Sequence, residues 1–458
     1  MPLSFGTSGL RGRISDLTPA QITAHIQGFL TACGTGGVIC VGRDLRPSSP
    51  RIAEDVIRAA RAMGTRVIDC GALPTPALAL AAEAAGGGAV MVTGSHIPAD
   101  RNGLKFYTRA GEITKADEVA ILTHLGQGAD GPRGPLEQDA EANARYIARY
   151  VEAFGAQALQ GQRIGLYAHS AVGRDALAAI LAGLGAEVIE LGRSESFIPV
   201  DTEAVAPEVR TQIEAWVAEH RLDALVSTDG DSDRPLLADE TGRVIPGDIL
   251  GQITAEALGA EVIVTPISSN SGVTQKAFKD VRQTRIGSPY VIAAMAGGGA
   301  VVGYEANGGF LLGFTAQGPA GGLAPLVTRD CTLPLLTVLY ASREGGVAAR
   351  VAQEPAVVTV ADRLQEVEQS KSGPLLGAWQ ADPAARAGFL ALLGKQETAL
   401  DLTDGLRMTL AEGEVLHLRP SGNAPELRLY VESRDPISAD QLLASALTGL
   451  RAALERHI

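Results

Sequence analysis

Short apolar runs rich in Val and Ile alternate along the chain with longer Ala- and Leu-rich segments of helical period. Buried parallel strands are near-continuously apolar, whereas helices that cover a sheet repeat apolar positions every three or four residues. One such unit contains GGVICVGRD, PRIAEDVIRAARAMG and TRVIDCG, and a second contains RIGLYAHSAVG, RDALAAILAGLG and AEVIELG. A third unit, with a shorter helix, extends from EVIVTPISSNSG to TRIGSP. The pattern predicts an α/β fold built from repeated βαβ units of domain size.

Turn-rich stretches and a change of pattern divide the 458 residues into four parts. The segment 126–139 is dense in Gly, Pro and Asp and is typical of a linker, and a second boundary is expected near Gly247. After about Pro355, helical segments precede two strand-like runs around a polar turn and then a final helix, which is typical of an α+β domain. We therefore predict three similar α/β domains and one α+β domain, over 1–138, 139–247, 248–355 and 356–458.

Composition and charge narrow the class of protein. Hydrophobic residues make up 46% and charged residues 20% of the chain, as in a globular protein with large cores. The formal net charge of -13 argues against a nucleic-acid or anionic-membrane partner, because such surfaces need concentrated Lys and Arg. The four cysteines lack metal-site spacing, and the first residues contain no apolar targeting segment. We expect a cytoplasmic protein that binds neither nucleic acid nor membrane.

Four loops carry candidate chemistry, and the first is TGSHIPADRNGLKFY, which follows the apolar run AVMV. Gly94 permits a tight turn that presents Ser95 at the end of a strand, where ligands of α/β sheets bind. His96 and Lys105 are the nearby groups that could activate the serine hydroxyl as a nucleophile. A plain polar turn is the alternative, and the G-x-S-x-G pattern of hydrolases is absent.

The second loop, STDGDSDRPLL, carries three alternating carboxylates, Asp229, Asp231 and Asp233. If the loop is extended, a period of two points all three the same way. Converging carboxylates repel one another unless a divalent cation neutralises them, and hard oxygen ligands favour Mg²⁺. An EF-hand is the competing interpretation because Glu240 falls at position twelve, but Arg234 stands where that loop requires glycine. A solvated acidic turn is the remaining alternative.

The third loop, YEANGGF, offers Glu305 and Asn307 among small residues that let a sugar ring approach closely. Carboxylates and amides are suited to hydrogen bonding with sugar hydroxyls, although a glycine-rich turn is the plainer interpretation. The fourth loop, LHLRPSGNAPELRLY, concentrates donors that suit a phosphate, and a simple β-hairpin is its alternative. These donors are Arg419, Ser421, Gly422, Asn423 and Arg428.

With these motifs in order, from FGTSGLRG near the N-terminus to the fourth loop, the chain resembles the α-D-phosphohexomutases. This family comprises phosphomannomutases, phosphoglucomutases and phosphoglucosamine mutases. The resemblance spans essentially the whole chain and implies four domains, three of them with mixed sheets, arranged like a heart around a central cleft. Gly309 stands where the family's G-E-x-S-G-H loop has histidine, and Asn307 stands where it has serine.

The resemblance also implies roles for individual residues. Ser95 corresponds to the family's phosphoserine. The ligands of Mg²⁺ would be Asp229, Asp231 and Asp233, together with an oxygen of Ser95. The groups that stabilise charge or transfer protons would be Arg11, His96, Lys105 and Arg234. Glu305 and Asn307 would contact the sugar, and the donors of the fourth loop would bind the distal phosphate.

The resemblance therefore predicts an enzyme, an intramolecular phosphotransferase that uses a hexose 1,6-bisphosphate such as glucose 1,6-bisphosphate as activator. Its partner would be a small hexose phosphate, and the protein would be a monomer or homodimer. We expect mannose phosphates to be the preferred substrates. An enzyme for glucose phosphates, or for both sugars, is the second expectation, and an enzyme for glucosamine phosphates is the third. A sugar phosphatase and a non-catalytic sugar-phosphate sensor are the alternatives from other functional classes.

Overall fold

The computed structural model describes residues 3–6, 9–128, 131–421 and 426–456, and their strands form four main sheets. The first sheet has the order β1-β2-β6-β5-β3-β4-β8, with β7 paired to β6. Its strands are β1 (Ser4–Phe5), β2 (Leu10–Arg13), β3 (Val38–Arg43), β4 (Arg66–Ala72), β5 (Gly88–Val92), β6 (Arg101–Thr108), β7 (Gly111–Glu112) and β8 (Leu136–Gln138). The accompanying helices are α1 (Pro19–Ala32), α2 (Ser49–Ala62), α3 (Thr75–Ala84) and α4 (Lys115–Thr123).

The second and third sheets have five strands each, in the orders β10-β9-β11-β12-β13 and β15-β14-β16-β17-β20. The second unit contains α5 (Ala142–Phe154), β9 (Arg163–Tyr167), α6 (Arg174–Gly183), β10 (Glu187–Leu191), α7 (Pro207–His220), β11 (Ala224–Thr228), β12 (Pro235–Ala238) and β13 (Val244–Ile245). The third contains α8 (Gly247–Ala257), β14 (Val262–Pro266), a 3-10 helix (Ser271–Gln275), β15 (Asp280–Thr284), α9 (Ser288–Ala294), β16 (Val301–Tyr304), β17 (Phe310–Leu312), β18 (Ala316–Gln317), β19 (Gly322–Leu323), β20 (Leu326–Asp330), α10 (Thr332–Ala341) and α11 (Val347–Val351).

The last part of the chain forms an antiparallel sheet in the order β21-β25-β24-β23-β22, with helices packed on one face. Its elements are β21 (Val358–Gln365), α12 (Gln369–Ala381), α13 (Pro383–Leu392), β22 (Glu397–Asp401), β23 (Leu406–Leu410), β24 (Val415–Pro420), β25 (Glu426–Ser433) and α14 (Pro436–Arg456). The predicted α+β character of this region is confirmed. Alternate residues of β25, such as Leu427 and Leu429, are buried against the helices, while Arg428 faces the other way.

The first three sheets share one topology, which confirms the predicted repeats. Within the first sheet, β4-β3-β5 are parallel and β6 and β2 continue antiparallel. The second and third sheets repeat three parallel strands followed by two antiparallel ones. The serine, acidic and glutamate loops are therefore equivalent turns, each joining the last parallel strand to the first antiparallel one.

The core is continuous through the first three units but separate in the fourth. One apolar cluster extends from Val38 on β3 to Val347 on α11 and includes residues of all three repeated units. The fourth unit has its own cluster around Leu376, Leu418 and Leu450. Among the described residues, none of the helices combines the length and apolar character needed to cross a membrane.

Two tyrosines of the second unit fix the end of a strand in the third. The Tyr146 hydroxyl donates to Oδ1 of Asp330 at 2.7 Å, and the Tyr150 hydroxyl donates to its other oxygen. All three residues are buried, and burial raises the pKa of Asp330 despite these hydrogen bonds. A buried carboxylate held on both oxygens anchors β20 against α5.

The segment 126–139 is more than a linker, which corrects the expectation from its composition. Leu136–Gln138 adds β8 as a parallel edge strand beside β4. The guanidinium of Arg66 donates to both carboxylate oxygens of Glu137, at 2.8 and 2.6 Å. Backbone pairing at a sheet edge requires no apolar pattern, so the sequence carried little sign of this strand.

Candidate active site

The serine loop holds Ser95 in a left-handed backbone conformation, with φ of 53°. Its N–H donates to the hydroxyl of Thr93 at 2.8 Å, and that hydroxyl donates to Asp44 at 2.7 Å. A left-handed conformation is unfavourable for a residue other than glycine, so surrounding contacts must maintain it. Such residues are found most often at functional sites. Here Thr93 and Asp44 supply those contacts and fix the direction of the Ser95 side chain.

Arg46, which was not predicted from the sequence, holds the backbone of the same loop. Its guanidinium is buried, bonds to Asp44, and donates to four main-chain carbonyl oxygens of the loop, those of Ser95, Ile97, Pro98 and Arg101. A Cβ on Gly94 would lie 2.7 Å from the Arg46 guanidinium carbon, so glycine leaves room for this contact. The only signal was GRDLRP, which begins at the last two residues of the apolar strand β3.

The acidic loop is a tight turn and not the extended segment expected from its alternation. Ser232 has φ of 56°, and its N–H donates to the Asp229 carbonyl at 3.2 Å. The Ser232 hydroxyl accepts a hydrogen bond from the N–H of Gly173 at 2.9 Å, which holds the turn. The three carboxylates still converge, because the turn, and not a period of two, brings them together. The flanking strands β11 and β12 form a hairpin, which excludes the helices of an EF-hand.

The serine and the acidic loop meet across the boundary between the first two units. The Ser95 hydroxyl donates to Asp229 at 2.5 Å. Lys105 on β6 contacts Asp231 and Asp233 at 2.5 Å each. A Cβ on the intervening Gly230 would lie 2.7 Å from the Ser95 carbonyl oxygen, so glycine permits this close approach. The structure therefore brings together the predicted nucleophile, the lysine and all three carboxylates.

The carboxylate cluster has the properties of a divalent-cation site. One ligand oxygen from each of the three aspartates lies within 4.8 Å of the others. Asp231 Oδ1 and Asp233 Oδ1 are buried and have no hydrogen-bond partner among the residues that the structure describes. Burial and the two neighbouring carboxylates raise the pKa of Asp229 well above its ordinary value. A bound cation would remove this repulsion and satisfy the two buried oxygens.

Two of the cations that the resemblance implied, Arg11 and Arg234, lie around the cluster. Arg234 donates to His96 Nδ1 at 3.1 Å, and the Ser95 hydroxyl lies 3.3 Å from the same nitrogen. Because arginine has no acceptor, His96 Nδ1 must carry a lone pair and the ring must hold its proton on Nε2. Burial and the charge of Arg234 lower the pKa of His96 well below its ordinary value, which keeps the ring neutral. Burial and Arg234 also lower the pKa of Arg11 to about 10, so that residue stays protonated at neutral pH.

The glutamate loop of the third unit closes on itself around Glu305. The Gly309 N–H donates to the Asn307 side-chain oxygen at 3.0 Å, and the Asn307 carbonyl accepts from Thr202 of the second unit at 3.1 Å. The Glu305 carboxylate contacts Arg329 of β20 at 3.3 Å, and Arg329 was missed by sequence reasoning. Glu305 is thus joined to the acidic cluster, because Arg329 also contacts Asp233 at 2.9 Å.

The fourth loop lies between β24 and β25, which pair antiparallel. Arg419 and Arg428 lie opposite each other, and Arg419 donates to Asp404 at 3.0 Å. The Ser421 N–H donates to the Glu426 carbonyl at 2.8 Å and closes the base of the turn. Gly422 and Asn423 lie outside the described residues. Two arginines on neighbouring strands form a cationic surface suited to a phosphate.

A cleft of about 1390 Å³ lies between this hairpin and residues of the second and third units. Its lining includes Arg428 and Tyr430 of the fourth unit, Asp201 and Glu203 of the second, and Ala306 of the glutamate loop. Pockets for small molecules usually measure about 300–1,000 Å³, so this cleft is large enough for a small anionic ligand. A buried serine beside three carboxylates and a lysine, where two α/β units meet, is suited to the transfer of a phosphoryl group.

Comparison with known proteins assigns the family. Models of the phosphoglucomutase/phosphomannomutase family match the chain over all four domains. Domain I matches residues 2–131, domain II residues 144–242, domain III residues 246–355 and the C-terminal domain residues 347–448. The chain therefore belongs to the phosphoglucomutase/phosphomannomutase family. It is 43% identical to a phosphomannomutase of Sinorhizobium fredii, covering 98% of this chain and 99% of that protein. It is 40% identical to a phosphomannomutase of Salmonella muenchen, covering 99% of this chain and 97% of that protein.

Solved structures share the fold. A phosphoglucomutase/phosphomannomutase family protein of Burkholderia thailandensis has a TM-score of 0.80 at 21% identity, covering 98% of this chain and 97% of that one. An N-acetylphosphoglucosamine mutase of Aspergillus fumigatus, in complex with GlcNAc-6P and magnesium, has a TM-score of 0.58 at 14% identity, covering 99% and 96%. Another structure of that mutase contains glucose 1,6-bisphosphate, with a TM-score of 0.57 at 15% identity and coverage of 99% and 96%.

Proposed function

We propose that this protein interconverts hexose 1-phosphates and hexose 6-phosphates through a phosphorylated Ser95 and a hexose 1,6-bisphosphate, with mannose phosphates as the preferred pair. The observation that carries the proposal is the contact of the buried Ser95 hydroxyl with Asp229 at 2.5 Å, inside a cluster of carboxylates and cations. The two phosphomannomutase relatives, which match over nearly their whole length, support the choice of sugar.

In the proposed reaction, a hydroxyl of the bound hexose phosphate attacks the phosphorus on Ser95. The bond between Ser95 Oγ and phosphorus breaks as the new bond to the sugar oxygen forms. The hydroxyl proton passes by way of the lone pair of His96 Nδ1 to the Ser95 oxygen that is released, and it takes the reverse path when the bisphosphate, bound the other way round, rephosphorylates Ser95. Lys105, Arg11 and Arg234 stabilise the charge on the transferring group, which is the main requirement of phosphoryl transfer.

Asp229, Asp231 and Asp233 would hold Mg²⁺ beside Ser95, as the magnesium complex of the fungal relative supports. A bound Mg²⁺ withdraws charge from the oxygens of the transferring phosphoryl group. A hexose 1,6-bisphosphate, like the one in the other fungal complex, would phosphorylate Ser95 at the start. Burial of Ser95, which is 1% exposed, favours transfer to a sugar over hydrolysis, because it limits access of water.

Arg428 provides a prediction about the distal phosphate. It lines the cleft, whereas the exposed Arg434 follows β25 and precedes α14. We expect Arg428→Met to raise KM for the hexose phosphate at least about tenfold, because a charged hydrogen bond to phosphate contributes roughly 1.5–3 kcal/mol. Steady-state kinetics with Arg434→Met as the control would test this. An unchanged KM in Arg428→Met would remove Arg428 from the proposed phosphate site.

The function itself is tested with purified protein, Mg²⁺ and a catalytic amount of glucose 1,6-bisphosphate. We expect mannose 1-phosphate to be converted to its 6-phosphate faster than glucose 1-phosphate, with glucosamine 1-phosphate slowest. Release of inorganic phosphate in place of isomerisation would identify a phosphatase. Tight binding of all three sugars without turnover would identify a sensor, and either result would overturn the proposal.

A further inference from the structure

Arg46 uses all of its hydrogen-bond donors within the first unit. An arginine side chain carries five N–H groups in one plane. Nε donates to Asp44, and the two terminal nitrogens donate to the four carbonyl oxygens of the serine loop, including that of Ser95 at 2.8 Å. Only the flat face of the guanidinium is left for a contact with another unit. Such a face favours an aromatic ring, which needs no hydrogen bond from it.

Phe197 of the second unit covers that face. It lies in the segment between β10 and α7, and the centre of its ring is 3.9 Å from the guanidinium carbon of Arg46. The edge of the same ring lies against the acidic loop, because a Cβ on Gly230 would be 3.1 Å from the ring atoms Cε2 and Cζ. One side chain thus contacts both the arginine that holds the serine loop and the turn that carries the three aspartates.

The backbone around Phe197 is fixed to its own unit. The N–H of the next residue, Ile198, donates to the Ser170 hydroxyl at 2.7 Å. Three residues before the ring, the Ser194 carbonyl accepts a hydrogen bond from the buried Arg174 at 2.7 Å. The second unit therefore presents the ring from a restrained segment. A shift of the serine loop relative to the acidic loop would separate the guanidinium from the ring.

Two polar contacts that join the first unit to the acidic loop involve groups that the proposed reaction would change. The Ser95 hydroxyl donates to Asp229, and a phosphorylated serine has no hydroxyl hydrogen to donate. Lys105 contacts the other two aspartates, and a bound cation would compete with it for their oxygens. The contact of Phe197 with Arg46 contains none of these groups, so neither phosphorylation nor a metal ion removes it.

We propose that Phe197 is a positioning residue that keeps the serine loop against the acidic loop while Ser95 carries the phosphoryl group. The ring, acting through Arg46, holds the phosphorylated oxygen beside the carboxylates after the hydroxyl contact with Asp229 has been lost. The inference rests on the proposed function, since it concerns the phosphorylated protein. Without the ring the two loops can separate, and the phosphoryl group then spends less time beside the groups that transfer it.

The kinetic test compares Phe197→Ala and Phe197→Leu with wild type, using mannose 1-phosphate, Mg²⁺ and glucose 1,6-bisphosphate. We expect Phe197→Ala to lower kcat at least about tenfold and to change KM by less than about twofold, because the proposed distal-phosphate site is untouched. Phe197→Leu should recover part of kcat, since it restores apolar cover without the negative face of the ring. An unchanged kcat in Phe197→Ala, or a loss confined to KM, would overturn the inference.

Tyr340 provides a matched control outside the four loops. The guanidinium carbon of Arg343 lies 4.0 Å from the centre of its ring, near the end of α10. Tyr340→Ala removes the same kind of contact, so it should lower the melting temperature and leave kcat unchanged. A similar fall of kcat in Tyr340→Ala and Phe197→Ala would indicate a general loss of stability and would overturn the positioning role.

A measurement without turnover separates the positioning role from the proposed function. In Ser95→Ala the hydroxyl contact with Asp229 is absent, as it would be in the phosphorylated protein. Deuterium exchange of the amides in residues 94–101 should be at least about threefold faster when Phe197→Ala is added to Ser95→Ala. Equal exchange with and without Phe197→Ala would overturn the inference even if the wild-type enzyme is active. Faster exchange combined with inactive wild-type protein would overturn only the proposed function.

Discussion

Replacing Ser95 with alanine should lower the rate of isomerisation by at least about 10⁴-fold, because the nucleophile of a covalent mechanism has no substitute. The hydroxyl lies 2.5 Å from Asp229 and is held there by the left-handed turn, Thr93 and Arg46. Alanine keeps the Cβ and removes only the reacting oxygen. Incubation with glucose 1,6-bisphosphate followed by intact-mass measurement should show one phosphoryl group on wild-type protein and none on the variant.

Ser227→Ala is the matched control for this experiment. Ser227 is as buried as Ser95, at 1% exposed, but its hydroxyl donates to the Tyr167 carbonyl within the second sheet. Removing that hydrogen bond should cost roughly 1 kcal/mol of stability and leave phosphorylation and turnover intact. Full activity of Ser95→Ala, or a phosphoryl group retained on it, would rule out Ser95 as the carrier.

Asp231→Asn should weaken Mg²⁺ binding by at least about 100-fold and reduce turnover in proportion. Burial alone raises the pKa of Asp231, but the ion pair with Lys105 and the hydrogen bond from Thr75 lower it below its ordinary value, so the carboxylate is ionised. An amide removes one negative charge from the cluster and places hydrogens beside Lys105. Calorimetric titration with Mg²⁺, together with activity as a function of Mg²⁺ concentration, measures both effects.

Asp330→Asn is the corresponding control, because it makes the same change in a buried carboxylate that faces two tyrosines. It should lower the melting temperature but leave Mg²⁺ affinity unchanged. Removal of divalent cations by a chelator should abolish turnover of the wild-type protein, and added Mg²⁺ should restore it. Equal Mg²⁺ affinity in Asp231→Asn and wild type would exclude Asp231 as a ligand.

Many of the strands and helices could be predicted from the local pattern of apolar and polar residues. The apolar runs of β3, β9 and β14 are buried strands, and the helical segments between them lie where their periodicity placed them. The third unit resembled the first two less closely in sequence. The structure gives the reason, because a short 3-10 helix, Ser271–Gln275, replaces the helix that joins the corresponding strands in the other units. The loops with Ser95 and the three aspartates were predicted because nucleophiles and paired carboxylates after a strand form a local signal.

The contacts that complete the site depend on the tertiary fold and left little trace in the sequence. Arg46 lies 49 residues from the serine whose loop it holds, and Arg329 lies 24 residues from Glu305. An arginine at the end of a strand has no feature that distinguishes an active-site cation from a surface charge. The compact turn of the acidic loop was also hidden, because the left-handed conformation of Ser232 depends on Gly173 of another segment.

The contact between Ser95 and Asp229, which spans 134 residues of sequence, has a consequence for biosynthesis. While the chain emerges from the ribosome, the first unit presents its serine without the carboxylates, and the arginines of the last hairpin are made some 300 residues after it. A chain that ends before the acidic loop therefore lacks the carboxylates that lie beside Ser95. The contact between the serine and Asp229 can form only after the second unit has been synthesised.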